Sequence, residues 1–226
     1  MTGTPLIVCR AHVALAAASL SLVTAANAQA ITLDDITDWT GTGSNRAGLV
    51  IDWADGSDPA VFGYRFDGPA TGQDMFQDIF ADRGDLYAKV VPFSFGDSAV
   101  GIGYDRDGDG FAISDGSTTT SSAAFTDGIL ITTTDNADGN TSTDPDDSYL
   151  EGWNTGFWGY YVSDGASDWG FASTGFGGRA LADGVWDGFA YQPGFAGSAP
   201  SVDVPEPGSA ALLGLVAVSL IRRRRA

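Results

Sequence analysis

Ten aspartates in this chain are followed directly by glycine: Asp55, Asp67, Asp107, Asp109, Asp115, Asp127, Asp138, Asp164, Asp183 and Asp187. Asp closes an Asx-turn with its side chain and Gly accepts positive φ, so each pair is a turn signal. Turns this frequent leave little room for helices, and the short aromatic and β-branched runs between them read as strands. Candidate strands are 48–53, 61–66, 99–104, 128–133, 156–162, 168–172 and 185–191. One segment departs from the pattern. Thr71 caps a helix over 72–82, Asp74 completes the capping box, and Met75, Phe76, Ile79 and Phe80 share one face before Gly84 stops it. Residues 87–91 either continue this helical region or open the next strand. A single amphipathic helix packed on a mostly antiparallel sheet predicts an α+β fold over 31–192, with a β-sandwich as the alternative. The stretch 115–148, rich in Ser, Thr, Asp and Asn, reads as a long exposed excursion, and 193–203 as a Pro/Gly/Ser/Ala linker.

Charge narrows the function classes. Between Ile31 and Ser201 stand 27 acidic side chains, all aspartate except Glu151, against six basic ones, a net of −21 where the whole chain has −18. Such a surface repels phosphate backbones and has no basic stripe with which to release counterions, which excludes nucleic acid as a partner. With 43% hydrophobic and 12% aromatic residues the chain is too apolar for a disordered acidic tail. Residues 1–30 read as a secretory signal: Arg10 and His12 open it, 13–23 is an unbroken run of Ala, Leu, Val and Ser, and Ala26-Asn27-Ala28 and Ala28-Gln29-Ala30 are small-x-small cleavage sites. An uncleaved anchor is the other reading, but the run is well short of the roughly 20 residues a span needs. Cleavage removes Cys9 and His12, leaving a mature chain without Cys or His. That excludes disulfides, thiolate nucleophiles, Ser-His-Asp and Cys-His catalysis, and zinc held by His or Cys.

The opposite end carries Val204-Pro205-Glu206-Pro207-Gly208, an apolar run to Ile221, then Arg222, Arg223, Arg224 and Arg225. The run 208–221 makes a helix of about 21 Å, short for a hydrocarbon core of about 30 Å. The four arginines hold the C-terminus on the cytoplasmic side, and their stems snorkel to lengthen the reach. Motif, run and Arg cluster, over 204–226, closely resemble the PEP-CTERM sorting tail of exported Gram-negative proteins, also catalogued on some ice-binding proteins. The resemblance implies transient membrane insertion through the C-terminal helix, and recognition by the membrane protease exosortase near Pro205-Glu206-Pro207. Release or transfer to the cell surface follows, often alongside exopolysaccharide. A plain C-terminal anchor is the alternative.

Between the ends, a sheet-packed helix, Gly101-Ile102-Gly103-Tyr104, Trp158-Gly159-Tyr160-Tyr161-Val162 and Leu181-Ala182-Asp183-Gly184 resemble the transcobalamin-like C-terminal module. That resemblance implies a β-grasp-like arrangement. A long insert before Trp153 and an Asp-rich loop after Tyr104 depart from the module's pattern, and no cobalamin or corrin ligand is carried over.

That loop, Asp105-Arg106-Asp107-Gly108-Asp109-Gly110-Phe111, is the sharpest local chemistry. Carboxylates at positions 1, 3 and 5, Gly at 6 and the Phe111 carbonyl at 7 match an oxygen-ligated Ca²⁺ loop. Position 12 is Gly116, so the bidentate Glu of an EF-hand is missing, and Asp115 is the carboxylate that could substitute. A polar hairpin with two Asp-Gly turns is the competing reading. Asp135, Asp138, Asp144, Asp146 and Asp147 form a second acidic group without ligand spacing, read as solvated loop. No pair among the 26 aspartates between Ile31 and Ser201 stands out as a catalytic dyad and no Asp-Thr-Gly or Asp-Ser-Gly occurs, so no enzyme is expected. Arg83-Gly84-Asp85 reads as a helix terminus rather than an adhesion ligand. Trp153, Phe157, Trp158, Tyr160, Tyr161, Trp169, Phe171, Phe176 and Trp186 are expected to be mostly core in a Leu-poor domain. A sugar-stacking face is the alternative for those left exposed.

Overall fold

Residues 30–94, 96–165 and 168–204 are described by the computed structural model, so the signal read over 1–30, apart from its last residue, and the tail from Pro205 onward lie outside the described residues. After a 3-10 turn at Leu33–Asp35 the chain forms β1 (Trp39–Gly41), β2 (Asn45–Asp52) and β3 (Ala60–Phe66), then α1 (Gly72–Asp82). It continues through β4 (Leu86–Phe93), β5 (Gly96–Tyr104), β6 (Ala112–Ser114), β7 (Thr119–Ser121), β8 (Ile129–Ile131) and β9 (Thr141–Ser142). The last strands are β10 (Ser148–Glu151), β11 (Gly156–Ser163), β12 (Gly170–Phe171) and β13 (Trp186–Pro193).

The helix forms where its caps put it. Asp74 N donates to Thr71 Oγ1 at 3.2 Å and Thr71 N donates back to Asp74 Oδ2 at 2.8 Å, the reciprocal pair of a capping box. Met75, Phe76, Ile79 and Phe80 are buried as one stripe. Phe76 lies 4.2 Å from Phe80 and 5.2 Å from both Phe176 and Phe189, ring centre to ring centre.

The strands build a six-stranded sheet in the order β1-β3-β2-β13-β11-β12, a four-stranded sheet β10-β5-β4-β8, and a small sheet β7-β6-β9. Most pairs are antiparallel, while β1 with β3, β13 with β2 and β4 with β8 run parallel. One core joins both larger sheets to the helix: Leu49 and Ile51 of β2, Phe62 of β3, Ala88 and Val90 of β4, Ile102 of β5, and Trp158 and Phe189 of β11 and β13 pack with the α1 stripe. This is the α+β class expected, dominated by sheet. Residues 87–91 belong to β4, the strand alternative. The Gly101–Tyr104 run lies on β5, Trp158–Val162 on β11, and Leu181–Gly184 precedes β13.

Strand glycines seat the large rings. A Cβ on Gly48 would lie 2.2 Å from the Trp186 ring, one on Gly63 2.5 Å from Trp39, and one on Gly103 2.3 Å from Phe111. Trp186 and Gly48 are opposite each other in the β13–β2 register. A Gly-rich, Leu-poor chain thus fills its interior with rings laid over bare backbone, which keeps packing dense.

The excursion is less exposed than its composition suggests, since Phe125 and Ala137 are buried within 115–148. The stretch 193–203 also lies on the domain. Ser201 N and Oγ both donate to Asp52 Oδ2 at 2.8 Å, Trp169 Nε1 donates to Val202 O at 2.8 Å, and Val202 and Val204 pack with Leu33, Ile36, Val50 and Trp186. Ile31 N donates to Asp203 O at 2.9 Å, so the first and last described segments meet.

Candidate functional site

The Asp-rich loop leaves β5 with its backbone folded onto Asp105. Gly108 N donates to Asp105 Oδ1 at 2.7 Å and Gly110 N to Oδ2 at 3.1 Å, and Asp109 N donates to Asp107 Oδ1 at 3.2 Å. These Asx-type closures bring Asp105, Asp107 and Asp109 together, each offering an oxygen within 4.8 Å of the others. Asp105 is buried and the other two are exposed. Arg106 does not neutralise the group: its guanidinium lies over Trp53 and Tyr104, with Nε donating to Ser148 Oγ at 2.7 Å.

Two expected ligands are engaged in hydrogen bonds with the β6–β7 region. Asp115 accepts from Ser117 N and Thr118 N, both at 2.7 Å, and so closes the turn between β6 and β7. The Phe111 carbonyl accepts from Ser122 N at 2.9 Å, and its ring stacks 4.4 Å from Tyr87.

Asp147 joins the loop instead. Ser148 pairs with Tyr104 in the β10–β5 register, which sets the residues flanking that pair, Asp147 and Asp105, side by side. Arg106 N donates to Asp147 Oδ1 at 3.2 Å, while Oδ2 is buried without a hydrogen-bond partner among the described residues. Burial, with the charges of Asp105, Asp144 and Asp107 added, pushes the Asp147 carboxyl up to about 6, against the Arg106 amide. Asp109 is also raised, first by Asp107 and then by Asp144. Concentrated, uncompensated carboxylate oxygens are what a hard divalent cation requires. Spacing could not reveal Asp147, because strand pairing rather than chain proximity delivers it.

Asp144, which raises both Asp147 and Asp109, also lies near the loop, whereas Asp138 is engaged elsewhere. Asp138 accepts from Trp153 N at 2.9 Å and from Asn154 N and Thr155 Oγ1, and these bonds hold its pKa down to about 2 against the opposing effect of burial. Arg83 and Asp85 satisfy each other, with Nε to Oδ1 2.7 Å and Nη2 to Oδ2 2.6 Å, as a helix terminus would. Trp158, Tyr160, Tyr161, Phe176 and Trp186 are buried, and Trp169 is tied to Val202. Phe171 and Phe195 are exposed on either side of Phe157.

The described residues include no helix long and apolar enough to cross a membrane, and the apolar run 208–221 lies outside them. Of Val204-Pro205-Glu206-Pro207, only Val204 is described, buried against Trp186 and its neighbours. The match to known families is at this end: residues 203–225 fit the PEP-CTERM protein-sorting motif. No curated protein and no solved structure matches the chain. The motif marks an exported protein sorted to the cell surface through exosortase.

Proposed function

We propose that this is a non-catalytic surface protein whose tail is cut near Pro205-Glu206-Pro207. The folded domain then acts in the exopolysaccharide outside the cell, stabilised by Ca²⁺ at the Asp105 loop. The observation that carries the reading is the sorting motif over 203–225. Arg222 to Arg225 would keep the tail's end cytoplasmic while the acidic domain is delivered outside. Asp105, Asp107, Asp109 and Asp147 would hold the cation, and the buried unpartnered Asp147 Oδ2 supports that assignment. The ion would supply charge neutralisation and fix the β5–β6 connection against β10.

Fractionating the producing cells tests both halves together. The chain is expected in the surface fraction, and the protein recovered there is expected to give saturable heat with CaCl₂ that Asp107→Ala loses. Recovery from the cytoplasm would contradict the sorting, and no heat in either protein would contradict the cation.

A further inference from the structure

The sequence contains one lysine, Lys89, and outside the tail one glutamate, Glu151. They sit on strands separated by β5, and both are paired with the same residue on it, Gly101. A Cβ on Gly101 would lie 2.6 Å from the Tyr149 hydroxyl and 3.1 Å from Glu151 Cβ, so only a bare backbone lets the flanking side chains meet over it. The β4–β5 pairing slips by a residue between Lys89 and Val90, an irregularity of the kind that re-aims a side chain. Lys89 Nζ donates to Glu151 Oε2 at 2.7 Å, with side-chain exposures of 4% and 1%. Tyr149 OH donates to the same oxygen. The other oxygen, Oε1, accepts from Asn140 Nδ2 at 2.8 Å and from Asn140 N at 2.7 Å.

One buried carboxylate thus holds an amine on one oxygen and a carboxamide on the other. We propose that Lys89 Nζ and Asn140 Cγ join in an intramolecular isopeptide bond, with Glu151 moving the protons. Glu151 takes a proton from the Lys89 ammonium, and the freed Nζ lone pair adds to Cγ. As the tetrahedral centre collapses, the C–Nδ2 bond breaks. Glu151 hands one proton to the departing nitrogen, which leaves as ammonia, and keeps the second proton lost by Nζ. Neither an oxidant nor a cofactor is required. The product replaces a buried ion pair, whose desolvation is costly, with a neutral amide and a neutral carboxyl.

The bond would have a mechanical consequence. Asn140 immediately precedes β9, a strand of two residues on the small sheet, and the link would tie that excursion to β4. A mature chain without cysteine has no disulfide with which to do this.

The test is peptide mass spectrometry of the exported protein, digested with trypsin under denaturing conditions. Expected is a branched product joining the Lys89 and Asn140 peptides, lighter than their sum by one ammonia and uncut after Lys89. Asn140→Ala abolishes it, and Glu151→Gln slows its formation by roughly a hundredfold or more, as loss of a general acid–base does. The wild-type measurement suffices if a variant fails to fold. Cleavage after Lys89 with both peptides at full mass would overturn the proposal.

Discussion

Asp187 is buried on β13, where Tyr160 donates to Oδ2 and Arg179 Nε lies 3.3 Å from Oδ1. Burial outweighs both partners and pushes its carboxyl from 3.8 up to about 6. The native state therefore holds this proton to higher pH than the unfolded chain. The stability that goes with it is complete below about 3.8 and is lost as pH rises through about 6. Asp187→Asn keeps the shape without the charge. In urea unfolding, its stability relative to wild type is predicted to rise by roughly 1–3 kcal/mol between about pH 4 and pH 7. A difference that stays constant over that range would contradict the burial argument. Asp187 also shows two sequence signals in conflict. As one of ten Asp-Gly pairs it signals a turn, while the run 185–191 around it reads as a strand; the strand forms, and Gly188 serves close approach there, since a Cβ would meet Pro200 at 2.7 Å. The Asp105 loop was legible because Asx closures act over two to five residues. Asp147 and the Lys89–Glu151 pair were not, since strand register brings them in from far along the chain.

At the level of elements, α1 was readable to its bounds because a capping box and a 3.6-residue stripe are local signals. β1, β6, β7 and β9 are two or three residues long and carry no periodicity to detect. β4 was ambiguous because Leu86–Val91 is buried on both faces, so it shows an apolar run rather than alternation. What organises the six-stranded sheet is the fit of rings to strand glycines, a pairing visible only once register is known. Gly48→Ala puts a methyl 2.2 Å from the ring of the buried Trp186, across the parallel β2–β13 contact. Thermal and urea unfolding are predicted to show a loss of about 1–3 kcal/mol, the cost of overpacking. Gly84→Ala, where nothing lies within 4 Å, is the control and should stay within about 0.5 kcal/mol of wild type. Equal stability of the two variants would contradict the glycine-seat account.

Across the whole molecule, the two ends of the described chain leave from one place. Ile31 bonds to Asp203, and Leu33 and Ile36 share a cluster with Val202 and Val204. Composition made 193–203 look like a free linker, because Pro, Gly, Ser and Ala report the lack of regular structure and not whether a segment docks. Val202 and the Asp52–Ser201 bonds decide that. The first residues of the sorting match, Asp203 and Val204, are therefore themselves held on the domain. Net charge divides in the same way: an anionic domain carries no part of the arginine cluster that the sorting motif requires. Intact-mass measurement of the protein from cells with and without exosortase tests the sorting. A chain lacking Arg222 to Arg225 is expected when exosortase is present and a chain retaining them when it is absent. An uncut arginine tail in both would contradict it.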